Sequence, residues 1–366
     1  MEARKGKDLT RYVGIDLGKR TYEVAIIGQG GKVTKSNGKT FSANRQALYK
    51  KLRPGDKVAL ETGNMAFIMA KEIQAAVGCK VHVLSSHQLP LIYGSMKKTD
   101  KEDSLKLARM VEYFPEERLP IVPVPSDQEI MRRKLIAAYE RAHQSRNRAI
   151  NKLHALFLSQ GITTKVRSDL CTGEQRKEAI KELSGLEREE AEYLVSCLDL
   201  HEQRIEMLDK QMKKESSQDE VIQRLQSVPG VGPITAFAFV SRVAAERFEN
   251  ASQVSNYLGL VPRVYISGEM VRYGRITKRG NGYIRALLVQ SAWALTRSKA
   301  GGKLKERYEY MTGVKSKSKK KTIVAIARRL AEVLYVMMRD GTKYESRPFM
   351  SKEEAVKELA RLALSA

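Results

Sequence analysis

The hydrophobic pattern of the chain changes period at one place. The segment LPIVPVPSD (119–127) carries Pro120, Pro123 and Pro125. Prolines lack a backbone donor and fix φ, so a helix or central strand that reaches them stops there. Before this segment the apolar residues form short runs: RYVGIDLG (11–18), TYEVAIIG (21–28), GKVTKSNGKTF (31–41), KVALE (57–61) and KVHVLSS (80–86). Helical-period stretches separate them, ANRQALYKKL (43–52), NMAFIMAKEIQAAVG (64–78) and DSLKLARMVEYF (103–114). Strands interleaved with helices predict an α/β domain over 9–122, and the opening meander predicts a mixed rather than all-parallel sheet.

After the prolines the period is helical. Ser126 or Asp127 is an N-cap signal for a long helix in which Leu135, Tyr139, Ala142, Ala149, Leu153 and Leu156 keep mostly 3/4 spacing. A second long helix places Leu194, Leu198, His201, Ile205, Leu208 and Met212 at alternating steps of four and three. That is a heptad seam, so 126–220 reads as a coiled-coil helical region. Two antiparallel helices in one chain would satisfy both stripes, and so would a dimerisation arm. Residues 221–366 read as a mainly helical third region. The fold class is therefore α/β plus α.

Charge narrows the function. Lys and Arg number 66 against 42 Asp and Glu, a net charge of +24. Such self-repulsion costs stability unless a polyanion neutralises it, which points to nucleic acid. More than half of the excess lies between Arg263 and Lys321, where 16 Lys/Arg face three acids, Glu269, Glu306 and Glu309. Cys79, Cys171 and Cys197 are far apart with no CxxC spacing, which argues against a zinc ribbon or a disulfide scaffold and for a reduced cytoplasm. The N-terminal stretch has no apolar core of the secretory kind, and no run of about 18 apolar residues exists to span a membrane.

Four carboxylates carry the chemistry of the first region. Asp16 ends one apolar strand (GIDLGK) and Glu61 ends another (VALETGN), while Asp100 and Asp103 open a helix in KTDKEDSLKLA. A step of three puts the last two on one helical face. Each has a plain alternative, since strand-end Asp is a usual turn residue and DxxD at a helix start favours the helix dipole. Brought together, four carboxylates repel unless a divalent cation holds them, and oxygen-only ligands suit Mg2+, with Mn2+ as a substitute. A carboxylate-bound metal site is the standard device for phosphodiester chemistry. GIDLGKRTYEVAI is also similar to the first phosphate loop of actin-like ATPases, but the later loops such chains need are not found.

Two further segments point to nucleic acid. LQSVPGVGPITA (225–236) reads as a helix-hairpin-helix, in which Gly230 and Gly232 let backbone N–H groups approach a phosphate. GLVPRVYISGEMVRYGRITKRGNGYIRALL (259–288) follows, with Arg263, Arg272, Arg275, Lys278, Arg279 and Arg285 as phosphate-binding candidates. Ser267, in a Ser-Gly turn amid these cations, is a candidate nucleophile, because cations stabilise a pentavalent phosphorus. Ser291 is the second candidate, in an apolar helix where packing is the simpler reading.

The ordered set GIDLGK, ALETGN, KTDKEDS, VPGVGPITA and GLVPRVYISGE…RITKRGNGYIRALL resembles the DEDD transposases of bacterial insertion sequences, the "one-ten" family, over nearly the full length. That resemblance implies a RuvC-like (ribonuclease H-like) first domain whose tetrad falls on Asp16, Glu61, Asp100 and Asp103 with magnesium. It also implies a C-terminal transposase domain whose nucleophile falls on Ser267 and acts through a covalent phosphoserine. It further implies a structured non-coding bridge RNA that pairs with donor and target DNA, a homodimer or homotetramer, and a bacterial, nucleoid-associated location. Ser104 stands where Ala often follows the last Asp of the family. The residues alone reach only a metal-dependent phosphodiester enzyme. A Holliday-junction-type endonuclease and a non-catalytic nucleic-acid binder are the alternatives.

Overall fold

Alternation along the first strand sets the architecture of the N-terminal unit. In β1 (Tyr12–Leu17) Val13 and Ile15 point to one side of the sheet and Tyr12, Gly14 and Asp16 to the other. The computed structural model of the chain describes residues 10–63, 65–86, 88–89, 100–163, 170, 172–268 and 270–345. β1 pairs antiparallel with β2 (Thr21–Ile27), which pairs antiparallel with β3 (Val33–Lys39). On its other side β1 pairs parallel with β4 (Lys57–Glu61), and β4 parallel with β5 (Lys80–Leu84). The order is β3-β2-β1-β4-β5, the mixed sheet that the meander predicted.

Each face of this sheet is covered by helices. Val13, Ile15, Val24, Val58, Leu60 and Val83 are buried with Met69 and Ile73 of α2 (Ala66–Val77) and Leu48 of α1 (Ser42–Tyr49). Glu72 joins these two helices. It accepts from Arg45 at 2.8 and 2.7 Å and from the Tyr49 hydroxyl at 2.5 Å. On the opposite face α3 (Asp100–Tyr113) lies over Gly14, Ala25 and Ala59 through Leu107, Ala108, Met110 and Val111. The small residues on the strands let the helix come close. Phe114 clusters with Tyr12, and Glu116 sits beside Lys80 and His82 at the start of β5. The helix therefore runs against the parallel strands, and its first turn lies toward their C-terminal ends.

The second compact unit begins at Asp127, where the prolines end. Its two long helices, α4 (Asp127–Ser159) and α6 (Gly185–Gln218), are antiparallel neighbours. Arg132 NH2 meets Asp219 at 2.6 Å, Arg146 Nε meets Glu202 at 2.8 Å, and Gln160 donates to Glu187 at 3.1 Å. The predicted seam packs within one chain. Leu194 and Leu198 are buried with Leu153 and Phe157 at the far end, and Leu208 and Met212 with Leu135 and Ile136 at the near end. At the far end α5 (Gly173–Ala179) inserts Arg176, 0% exposed, which donates to Glu202 at 2.8 and 2.7 Å and to Asp199 at 3.3 Å.

At the near end the helix pair merges with the C-terminal core. α7 (Glu220–Leu225), α8 (Pro233–Val240), α9 (Ala251–Tyr257), α10 (Gly282–Arg297), α11 (Gly302–Thr312) and α12 (Lys319–Asp340) surround Phe237, Phe239, Leu288 and Leu334. Between α9 and α10 the strands β6 (Pro262–Ser267) and β7 (Met270–Ile276) form a two-stranded ribbon. Among the described residues no helix is long and apolar enough to cross a membrane.

Candidate functional site

The carboxylates of the first unit are placed by register. The last paired residues of β1 and β4 are Ile15 and Leu60. Asp16 and Glu61 each follow by one residue, on neighbouring strands about 4.8 Å apart. Both lie on the face of Gly14 and Ala59, which α3 covers. Beyond Glu61 the chain is held by Thr62, whose N–H donates to Leu84 O at 2.8 Å and whose hydroxyl donates to Ser86 at 3.0 Å.

The backbone of α3 comes close to the same sheet face because Gly14 lets it. A Cβ on Gly14 would stand 1.9 Å from the Ser104 carbonyl oxygen and 2.4 Å from the Ala108 nitrogen. The helix backbone thus rests on the strand backbone, two residues before Asp16 and directly after Asp103. Asp103 is half-buried and pairs with Lys106 Nζ at 2.9 Å. Asp100 begins the helix, and its side chain lies outside the described residues. Among the described residues no three acids, histidines or cysteines are gathered at metal-binding distance. Asp16 and Glu61, side by side with oxygen-only donors, fit a hard divalent cation in kind. Gly14 was legible but was not singled out, although a glycine inside a strand marks a close backbone approach.

The basic segment of the second unit has a rigid base and an exposed ribbon. Lys278 has φ +56°, a costly conformation for a residue with a Cβ, and its neighbours hold it there. Its N–H donates to Gly259 O at 3.1 Å, and Thr277 N–H donates to Val261 O at 2.9 Å. Gly259 and Gly280 permit this. A Cβ on either would stand 2.2 Å from Arg279 O or 2.3 Å from Tyr257 O, respectively. Arg285 turns inward and ties the loop down, donating through NH1 to Arg279 O at 2.7 Å, Leu258 O at 3.1 Å and Gly280 O at 3.2 Å. Burial pushes its pKa down from the usual guanidinium value.

Arg263, Arg272, Arg275, Lys278 and Arg279 are all exposed. Ser267 ends β6 opposite Met270, at the exposed tip of the ribbon, and Gly268 after it has φ +57°. Alternation puts Tyr265 on the face of Ser267, and Arg272, paired with Tyr265, shares it. Ser291 differs in being 3% exposed and bonded to Thr235 Oγ1 at 3.2 Å. Gly230, at φ +84°, rests on α10, where a Cβ would stand 2.6 Å from Ser291 O, whereas the corresponding space at Gly232 is open. The described candidates therefore do not form one cluster: Asp16 and Glu61 lie side by side at a strand edge, Arg272 shares the ribbon face of exposed Ser267, and Arg275, Lys278 and Arg279 lie toward the base of the ribbon. Gly230, Arg285 and Ser291 contribute to the framework beneath the basic segment.

Two family models match the chain. One, described as a transposase and named for the DEDD domain of IS110, covers residues 13–162. The other, described as "Transposase IS116/IS110/IS902 family", covers residues 222–309. Similar proteins include a "Probable family 20 transposase" of Pseudomonas aeruginosa, 27% identical over 91% of this chain and 98% of that one. The "Transposase for insertion sequence element IS1328" of Yersinia enterocolitica is 27% identical with the same coverage. The "Transposase for insertion sequence element IS1111A" of Coxiella burnetii is 24% identical over 92% of this chain and 91% of its own.

Proposed function

The chain belongs to the IS110/IS116 transposase family and is a DNA transposase, and from that premise we propose that it cuts and rejoins donor and target DNA with a metal-binding tetrad and a serine nucleophile. The tetrad is Asp16, Glu61, Asp100 and Asp103 on a RuvC-like domain, and the nucleophile is Ser267. The observation that carries the reading is the side-by-side placement of Asp16 and Glu61 on the sheet face that α3 closes through Gly14. A Mg2+ ion, or Mn2+ in its place, would supply Lewis-acid stabilisation of charge on the phosphoryl oxygens when bound to these four acids.

The rest is the work of side chains. Ser267 Oγ forms a bond to phosphorus as the bond from phosphorus to the leaving nucleotide oxygen breaks. The serine gives up its proton and the leaving oxygen takes one. Rejoining reverses the step with a hydroxyl of the other duplex, so the phosphodiester count is conserved. Arg272, on the serine's ribbon face, stabilises the pentavalent phosphorus, and Arg263, Arg275, Lys278 and Arg279 hold the flanking backbone. Gly232, in the helix-hairpin-helix reading, offers backbone N–H contacts without reading sequence. Target choice is delegated to a non-coding bridge RNA that pairs with both DNAs, and a homodimer or homotetramer brings the duplexes together.

The test incubates the protein with labelled donor and target duplexes, Mg2+ and RNA transcribed from the region beside the gene. Ser267→Ala should abolish the SDS-resistant protein–DNA adduct. Asp16→Asn and Glu61→Gln should abolish strand exchange while DNA affinity stays within about threefold. An adduct that survives Ser267→Ala overturns the nucleophile assignment. Cleavage without any adduct points instead to a hydrolytic, Holliday-junction-type endonuclease. No metal-dependent chemistry on any DNA points to a binding protein.

A further inference from the structure

The ribbon of β6 and β7 has two unlike faces, and the proposed chemistry uses one of them. Every described residue from Arg263 to Arg275 is exposed, so no other described residue covers either face. Arg263, Tyr265 and Ser267 share one face with Met270 and Arg272, and a Cβ on Gly274 would stand 3.3 Å from the Tyr265 ring on that side. The other face is apolar. Val264 pairs with Tyr273 and Ile266 with Val271, and these four side chains are 49%, 73%, 71% and 49% exposed. A two-stranded ribbon is marginal in water by itself, and a contiguous apolar face on one marks a surface that meets something else.

The charge around this face says what covers it. From Arg263 to Arg285 the chain has six cations and one acid, Glu269. Arg275 is exposed two residues after Tyr273, toward the end where Lys278 and Arg279 lie. An acidic protein surface matches the cations and an apolar one matches the four side chains, but nucleic acid matches both. Its phosphates meet the cations, and its base faces meet the ring and the branched side chains. A two-stranded ribbon fits a DNA groove, and apolar side chains inserted between base steps unstack them. The tip sets the place. Ile266 and Val271 sit one residue inside the Ser267–Met270 pair, about 3.4 Å along the strand, which is close to the spacing of successive nucleotides. A phosphate held at Ser267 therefore has its neighbouring base within reach of Ile266. Rejoining two duplexes requires the bases beside the cut to leave their stack, so a group that fills the gap favours the exchange.

We propose that the ribbon face opposite Ser267, made of Val264, Ile266, Val271 and Tyr273, is a wedge that enters DNA beside the phosphate under attack, with Ile266 and Tyr273 packed against the bases they part. The inference rests on the reading of Ser267 as the nucleophile for where the wedge acts, and its first readout is base stacking rather than chemistry. Ile266 and Tyr273 are positioning residues. They touch the flanking bases, not the phosphorus, and lower the cost of opening the duplex there. A duplex that is already open at those positions has no need of them.

The test binds the full-length Ser267→Ala chain to the donor duplex with RNA transcribed from the region beside the gene, 2-aminopurine being placed in turn at each position around the cut. Fluorescence should rise about threefold at one or two positions next to the cleaved phosphate and stay flat elsewhere. Adding Ile266→Thr and Tyr273→Thr keeps the strand preference of β-branched side chains, so the thermal melt by circular dichroism should stay unchanged. The two threonines should remove the fluorescence rise and weaken duplex binding about tenfold. With Ser267 intact they should slow strand exchange about tenfold, and mismatches at the same positions should bring it back to within about threefold of wild type. A flat signal at saturating protein, a rise that survives the threonines, or exchange that mismatches fail to restore overturns the wedge. A threonine variant that unstacks DNA normally but loses self-association makes the face a protein contact and likewise overturns it. If Ser267→Ala still forms an adduct while the threonines abolish the rise, the nucleophile reading falls and the wedge stands.

Discussion

Gly14→Ala puts the geometry of the acid edge to its most direct trial. The added methyl would stand 1.9 Å from Ser104 O and 2.4 Å from Ala108 N, both atoms of the α3 backbone. An ordinary contact begins at 3.4 Å, so the helix must retreat by about 1.5 Å. No side chain can rotate away to spare it. Overpacking of this kind costs about 1–3 kcal/mol, occasionally more. The same retreat shifts the start of α3 relative to Asp16 and Glu61, and on the proposed tetrad a misplacement of about 1 Å would cost about 100-fold in rate. Unfolding in urea should be followed by far-UV circular dichroism, because the single tryptophan, Trp293, lies in the other unit. Strand exchange with Mg2+ should be measured on the same protein. Gly55→Ala is the control, since nothing lies within 4 Å of a Cβ there and its φ is ordinary. Wild-type stability and wild-type strand exchange in Gly14→Ala would refute the close approach. Lost stability with intact strand exchange would refute the link between α3 and the acids.

Other expectations follow from the same contacts. Replacing both Arg272 and Arg275 by alanine should lower the slope of log affinity against log salt for duplex DNA by about 1.8 if each holds one phosphate, measured by fluorescence anisotropy. Ser291→Ala loses one buried hydrogen bond to Thr235, so it should cost about 0.5–1.5 kcal/mol of stability and leave any covalent adduct intact. Arg176→Ala leaves Glu202 to Arg146 and half-exposed Asp199 to water, and opens a hole where the fully buried guanidinium sat between α5 and α6. It should destabilise this contact by about 1–3 kcal/mol, read as faster hydrogen exchange in α5 and in α6 around Asp199 and Glu202. The Arg45 guanidinium and the Tyr49 hydroxyl hold the Glu72 carboxyl below its usual value of 4.5. A carboxyl with a depressed folded pKa stabilises the fold above its unfolded pKa, and that contribution fades as pH falls through the folded one. Glu72→Gln should therefore cost about 1–2 kcal/mol at pH 7, and the gap to wild type should close below about pH 4 in urea unfolding.

Much of this was legible before any fold was known. The strands of the first unit were visible because Val13, Ile15, Val24, Val58 and Leu60 mark one sheet face, and that burial is what folding requires of them. The acids were visible because strand ends and helix starts are local properties. Less legible was the role of individual polar residues. Arg285 reads like its basic neighbours until its guanidinium is seen on three carbonyls, and Ser291 resembles Ser267 in type while differing wholly in exposure. Of the heptad positions read on α6, Leu194, Leu198, Leu208 and Met212 are buried, whereas His201 and Ile205 are only partly so, because the spacing of apolar residues does not say how far each is covered.

The sequence by itself determined the element types of the strands and long helices, the break at the prolines and the site of the positive excess, and it named the candidate residues for the proposed chemistry. All of these depend on neighbours within a few positions, on periodicity or on simple charge. Only the tertiary structure decided which residues meet. It set Asp16 beside Glu61 by strand register, let α3 down onto Gly14, spent Arg285 on the framework and left Ser267 at a ribbon tip. Such contacts are made between residues far apart in the chain, and they depend on which surfaces close against each other, a choice that no local pattern encodes.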